Sequence, residues 1–188
     1  MMDGEKLMYS DDRKIFDLVK QFRLSIEKAR DAEYFSNDFI FNRFPRACCG
    51  DTCYILAEYL KSKGIETINV CGDFNGGTHA WLVVKDSRVK IPKQQLFKLP
   101  DEMVEIFNSY SNGAYSKPID VTRYKENDLK GGLIIDITAD QFGERNVFVG
   151  YMDDFHSKYE FQFANDYVSL KGTRLIDIYH KIIYYIDE

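Results

Sequence analysis

Arg46-Ala47-Cys48-Cys49-Gly50-Asp51-Thr52-Cys53-Tyr54-Ile55-Leu56-Ala57-Glu58-Tyr59-Leu60-Lys61-Ser62-Lys63-Gly64 reads as a helix with a thiol at its mouth. Ile55, Leu56, Tyr59 and Leu60 fall on one face, which predicts a helix over Cys49 to Lys63 with Gly64 as its stop. Upstream, Phe44-Pro45 enforces an extended approach, because a residue before proline is pushed out of helical backbone. Cys49 therefore sits where extended chain turns into helix. The unpaired N–H groups of a first turn favour a thiolate over a thiol. The same groups can hold an oxyanion formed on an attacked carbonyl. Gly50 removes a side chain beside the sulfur, so a substrate backbone can come close.

Before this stretch, Ile15, Val19, Phe22, Ile26 and Ala29 alternate at spacings of four and three, predicting an amphipathic helix over Asp11 to Tyr34. After it come three apolar runs that predict strands, Thr67 to Cys71, Ala80 to Val84 and Leu133 to Ile137, with a fourth at Val147 to Tyr151. Gly72 through Thr78 reads as a turn that delivers the chain into His79 at the start of a strand on the sheet edge. Lys85 to Gly132, with Pro92, Pro100 and Pro118 and a helical piece around Glu102 to Asn108, reads as an insertion on one domain spanning residues 1–188. Ser169 to Ile186 fits either a helix or a strand pair.

An activated sulfur nucleophile needs an imidazole to take its proton and a carboxylate to hold the imidazole. His79 is the expected base among the three histidines. It precedes Ala80-Trp81-Leu82-Val83-Val84, and Trp81, two residues on, projects to the same side and can shield the ring. His180 lies in an apolar stretch and reads as structural; His156 follows Asp153-Asp154-Phe155 in a loop with no partner in view. Asp136 ends the run Leu133-Ile134-Ile135 and is the expected carboxylate, with Asp140 as its understudy. The plain alternative for Asp136 is a turn with Thr138, and for any one cysteine a small buried hydrophobe.

Composition narrows the partners. An apolar fraction of 45% and an aromatic fraction of 15% are those of a globular domain with a real core. A net charge of -5 without a long basic block argues against nucleic acid and against an anionic membrane. Met1 to Lys6 is polar with no apolar run after it, so neither a secretory signal nor a membrane span is expected. Four reduced cysteines in the cytoplasm are the matching expectation, with specialised secretion left open.

Cys49-Gly50-Asp51-Thr52-Cys53, the helix closing at Lys63-Gly64-Ile65, His79-Ala80-Trp81 and Asp136-Ile137-Thr138 together resemble the transglutaminase-like branch of the papain-like cysteine enzymes. The likeness covers Arg46 to Val149. It implies an α+β fold, with the cysteine helix packed on an antiparallel sheet that bears the histidine and the aspartate. It also implies a Cys49-His79-Asp136 triad and a further oxyanion donor upstream of the cysteine, for which Asn42 is the nearby amide. The chain departs from the pattern at Lys85 to Gly132, where the family usually has a short hairpin, and at Cys53, where a small residue is usual.

The expected activity is hydrolysis of an amide or related acyl bond in a peptide, a protein or a small molecule, without cofactor or metal. Transfer of the acyl group to an amine, as in a transglutaminase or acyltransferase, shares the same first half. Two other classes compete: a zinc site drawn from Cys48, Cys49, Cys53, Cys71 and His79, and a binding module that keeps the fold without the chemistry.

Overall fold

A computed structural model describes residues 10–92, 96–97, 119–120, 124–166 and 169–186. Helix α1 (Ser10–Asp31) buries Val19, Phe22, Ile26 and Ala29 completely, as the periodicity predicts. Helix α2 (Cys49–Ser62) ends in a left-handed Gly64 at φ 79°, with Gly64 N–H donating to Lys61 O and Ile65 N–H to Leu60 O. These two bonds satisfy carbonyls that the helix end would otherwise strand.

Five strands form one antiparallel sheet in the order β6-β5-β2-β1-β7. They are β1 (Thr67–Phe74), β2 (Gly77–Val84), β5 (Ile134–Asp136), β6 (Phe148–Gly150) and β7 (Glu160–Asp166). The fold is thus mixed α+β. A separate two-stranded ladder joins β3 (Leu96–Phe97) to β4 (Ile119–Asp120), and α3 (Glu126–Leu129) follows it. Most of the expected insertion at Lys85 to Gly132, including the helical piece at Glu102 to Asn108, lies outside the described residues. The C-terminal stretch is a helix, α4 (Leu175–Tyr184), whose Leu175, Ile178 and Ile182 face inward.

Alternation along the strands sorts the core into two layers. Ala80, Leu82 and Val84 with Leu133, Ile135 and Ile137 pack under the helices. Trp81, Val83 and Ile134 point to the opposite face, joining Ile68, Val70 and Phe148. Leu56 and Leu60 of α2 are sealed in the first layer, each contributing about 1.5–3 kcal/mol by burial. That anchoring fixes where the first turn of α2, and so Cys49, stands over the sheet.

The β1–β2 hairpin differs from its sequence reading. Its strands pair from Thr67 with Val84 down to Phe74 with Gly77, so the turn is only Asn75-Gly76. Both turn residues have positive φ, at 53° and 78°, the pairing that Asn-Gly favours in a tight hairpin. His79 therefore lies inside β2, opposite Gly72, and β2 is the central strand of the sheet rather than its edge.

Candidate active site

Register brings the histidine to the aspartate. Leu82 pairs with Ile135 and Val83 with Ile134, so the same register carried on places Asp136 opposite Trp81. His79 and Asp136 then become diagonal neighbours on one face, a spacing that long side chains can bridge. They do: His79 Nε2 lies 2.7 Å from Asp136 Oδ2, and both side chains are buried. The other carboxylate oxygen, Oδ1, accepts from Thr138 N–H at 2.8 Å and Thr138 Oγ1 at 3.1 Å. The turn with Thr138 and the grip on His79 are thus served by different oxygens of one carboxylate.

An ionised carboxylate only accepts, so it sets His79 with a proton on Nε2 and turns Nδ1 toward the sulfur. Among the described residues Nδ1 makes no hydrogen bond, and the half-buried Cys49 thiol is the group on that side that acts on the ring. Burial alone would depress the imidazole; the bond to Asp136 and the influence of the Asp136 and Cys49 charges overcome it and raise His79 to about 9. Burial likewise works against the Cys49 thiolate. The His79 bond and charge, with the Ala80 and Gly50 main-chain N–H groups, outweigh it and leave the thiol below its ordinary range. For Asp136 burial is again opposed, here by His156, by His79 and by the Thr138 N–H, and its carboxyl sits well below the usual carboxylate range.

The other thiols go the opposite way. Burial pushes Cys48 up to about 12, although Thr52 Oγ1 donates to its sulfur. Burial raises the enclosed Cys53 as well. Cys71, part-exposed on β1 and not sealed in the core, is raised by burial and by the charges of Cys49 and Asp73. Among the described residues no group of three His, Cys, Asp or Glu side chains is arranged to hold a metal ion. Nor, among them, is any helix long and apolar enough to cross a membrane.

Aromatic rings wall in the imidazole. Phe142 meets it edge-on at 5.0 Å, Tyr159 at 5.4 Å, Phe155 at 5.7 Å and Trp81 at 5.9 Å. Gly72 makes room for this box: a Cβ there would stand 2.7 Å from Tyr159 Cβ and 3.1 Å from Trp81 Cη2. Gly50 faces open space instead, with nothing within 4 Å of where its Cβ would be. Ala47, two residues before Cys49, is held at φ 56°, and its N–H donates to Gln141 Oε1 at 3.3 Å. A non-glycine residue in that region stores strain of the order of 1 kcal/mol or more beside the nucleophile.

No family model, curated protein or solved structure matches the chain.

Asp140 is not the partner of His79. It is clasped by Arg23 of α1, which also donates to Ile137 O and to Asn146 O. Arg23 is buried, and it pins the segment that follows Asp136. Asn42 sits exposed on a single helical turn, Phe41–Arg43, with its N–H given to Asp38 O, and no contact joins it to Cys49. His180 is exposed on α4, off the Leu175-Ile178-Ile182 stripe, so the apolar run around it does not bury it.

His156 overturns its sequence reading most. It is buried on a short helical turn (His156–Lys158), with Nδ1 2.6 Å from Asp153 Oδ1 and Nε2 3.4 Å from Asp136 Oδ2. The signal available in the sequence was Asp153 three residues ahead, which caps the turn by accepting the His156 N–H at 3.0 Å. Nothing local announced the contact with Asp136.

Proposed function

We propose that this protein is a thiol-dependent acyl hydrolase with a transglutaminase-like, papain-like site, acting on amide or related acyl bonds through an acyl-enzyme. One observation carries the reading: a buried carboxylate holds His79 through Nε2 at 2.7 Å and leaves the buried Nδ1 without a hydrogen bond among the described residues, as a base waiting for a proton would be. His79 in turn helps hold the Cys49 thiol below its ordinary range. Helix-start cysteines without such a partner are common, whereas a buried His–Asp pair aimed at one is costly unless it is used.

The Cys49 thiolate attacks the acyl carbon, forming a C–S bond and a tetrahedral oxyanion. The first-turn N–H groups of α2, which a helix leaves without internal acceptors, would receive that oxyanion. The His79 imidazolium gives its proton to the leaving nitrogen as the C–N bond breaks. Water then attacks the thioester, His79 takes the water's proton, and the thiolate departs with the acid released. Asp136 keeps the ring in one orientation throughout. Peptides, proteins or small amides are the matching substrates, and a reducing compartment such as the cytoplasm suits a nucleophile that oxidation would destroy.

Transfer to an amine is the second reading. The aromatic wall of Trp81, Phe142, Phe155 and Tyr159 favours it, because a ring-lined site holds water away from the thioester. Both readings are tested by incubating wild type and Cys49→Ala with p-nitrophenyl acetate and mapping acetyl mass by peptide. Acetylation of Cys49 alone, cleared by water or faster by an added primary amine, is the expected result. Acetylation spread over surface lysines and equal in Cys49→Ala would overturn the proposal.

A further inference from the structure

We propose that His156 is a positioning residue for Asp136: a second imidazole that shares the carboxylate oxygen gripping His79. This rests on reading Cys49, His79 and Asp136 as a reactive thiol site.

A carboxylate offers about four lone-pair sites over its two oxygens. Thr138 fills Oδ1 with two donors, and His79 takes one site on Oδ2. His156 Nε2, 3.4 Å from the same Oδ2, faces what is left. That nitrogen is buried and makes no hydrogen bond among the described residues. A buried polar atom left without a partner is costly, so the carboxylate oxygen 3.4 Å away is the partner this nitrogen is placed to use.

The ring cannot turn away to find another partner. Asp153 Oδ1 takes both its Nδ1, at 2.6 Å, and its own main-chain N–H, at 3.0 Å. Phe148 at 4.8 Å, Phe155 at 5.0 Å and Trp81 at 5.3 Å enclose its faces and edges. Asp153 only accepts, so Nδ1 donates to it. Donation to Asp136 then calls for a proton on Nε2 as well.

The chemistry gives this arrangement a purpose. When His79 hands its proton to the leaving group, Asp136 loses the positive charge in front of it while remaining buried. A donor behind the carboxylate steadies it at that moment and stops it from swinging off the imidazole. The other charged groups around His156 are few. Glu144 and Arg145 line a small cavity beside it, and Glu126 and Lys130 line the larger one, of about 310 Å³, beneath Trp81.

The test compares wild type, His156→Phe, His156→Gln and Asp153→Asn. It follows the pH dependence of Cys49 alkylation by iodoacetamide and the titration of the His79 ring by ¹⁵N NMR. His156→Phe keeps an aromatic ring against Trp81 and Phe148 but removes both bonds. Alkylation at pH 6 should fall about tenfold, the equivalent of one unit in the thiol pKa. His156→Gln carries an amide donor and should stay within about threefold of wild type, with Asp153→Asn in between. Identical profiles for His156→Phe and wild type overturn the proposal. So does an equal loss in His156→Gln and His156→Phe, which would mark a packing role alone. If His156→Phe does not fold, the Gln and Asn variants carry the comparison. If wild-type Cys49 alkylates like a free thiol while the His79 titration still moves in His156→Phe, the enzyme reading fails and the shared carboxylate stands.

Discussion

Arg23 reaches from α1 to clasp Asp140 with both arms, Nη2 to Oδ2 at 2.7 Å and Nη1 to Oδ1 at 3.0 Å. A two-pronged grip of this kind fixes direction as well as distance. Because Arg23 also binds the carbonyls of Ile137 and Asn146, one buried side chain ties α1 to both ends of the loop that leaves Asp136. The Asp136 carboxylate is thus aimed by a helix more than a hundred residues away in sequence.

Removing that tie should loosen the fold and the site together. Arg23→Met leaves Asp140 and two inward-facing carbonyls without their donor and should cost about 2–4 kcal/mol in urea denaturation. Asp140→Asn keeps the carbonyl contacts and should cost less. A loss below about 0.5 kcal/mol in Arg23→Met would mean the clasp is decorative.

Alkylation should single out Cys49. Its thiol lies below the ordinary range, while burial raises Cys48, Cys53 and Cys71. In the folded native protein, iodoacetamide mapped by mass spectrometry should therefore mark Cys49 at pH 6–7, with the other three lagging. The profile should change again as His79 gives up its proton near pH 9 and the thiolate–imidazolium pair becomes thiolate and neutral ring. His79→Ala should return Cys49 to the profile of a free thiol. Uniform labelling of all four cysteines would remove the basis for a tuned nucleophile.

How far the sequence reaches depends on whether an interaction is local. The stripes of α1 and α2, the Gly64 stop and the strands that carry His79 and Asp136 all follow from periodicity within a dozen residues. Strand β7 does not, because the alternation of Glu160-Phe161-Gln162-Phe163 is short, the stretch is largely exposed at the sheet edge, and its register against β1 shifts between Cys71 and Gly72. The hairpin is tighter than its glycines suggest, because Gly72 serves to admit Trp81 and Tyr159 and not to turn the chain. Cys49 sits at a helix start and Asp136 at a strand end, whereas His79, inside β2, is marked by the Ala80-Trp81 run that follows it. Arg23 and His156 act only through partners that the fold brings to them, and no spacing rule connects those pairs.

Asp136→Asn should separate geometry from charge. The amide can keep the Thr138 contact but cannot hold His79 as a carboxylate does, so the thiolate advantage of Cys49 should shrink and turnover should fall more than binding. The acid limb should change too. Asp136 is depressed on folding from 3.8, so its contribution is present above about that pH and is lost as pH falls through the folded value. Asp136→Asn should start less stable at pH 7 yet lose less stability between pH 5 and pH 2. Parallel stability curves for the two proteins would show that the carboxylate is not coupled to folding.

Two glycines beside the site should respond in opposite ways. At Gly72 an added methyl would stand 2.7 Å from Tyr159 Cβ and 3.2 Å from Glu160 O, atoms that cannot give way as a flexible side-chain tip can. Gly72→Ala should cost about 1–3 kcal/mol and displace the rings that shield His79. At Gly50 the same methyl meets nothing within 4 Å, and alanine suits a helix better, so Gly50→Ala should be neutral or about 0.5 kcal/mol more stable. The space it fills, however, is where an acyl group would approach Cys49. Gly50→Ala should therefore leave alkylation by small iodoacetamide nearly unchanged while slowing acylation by a bulky aryl ester several-fold. Equal rates with the bulky ester in both proteins would mean that substrate reaches the sulfur from another side, past Phe142 and Tyr159.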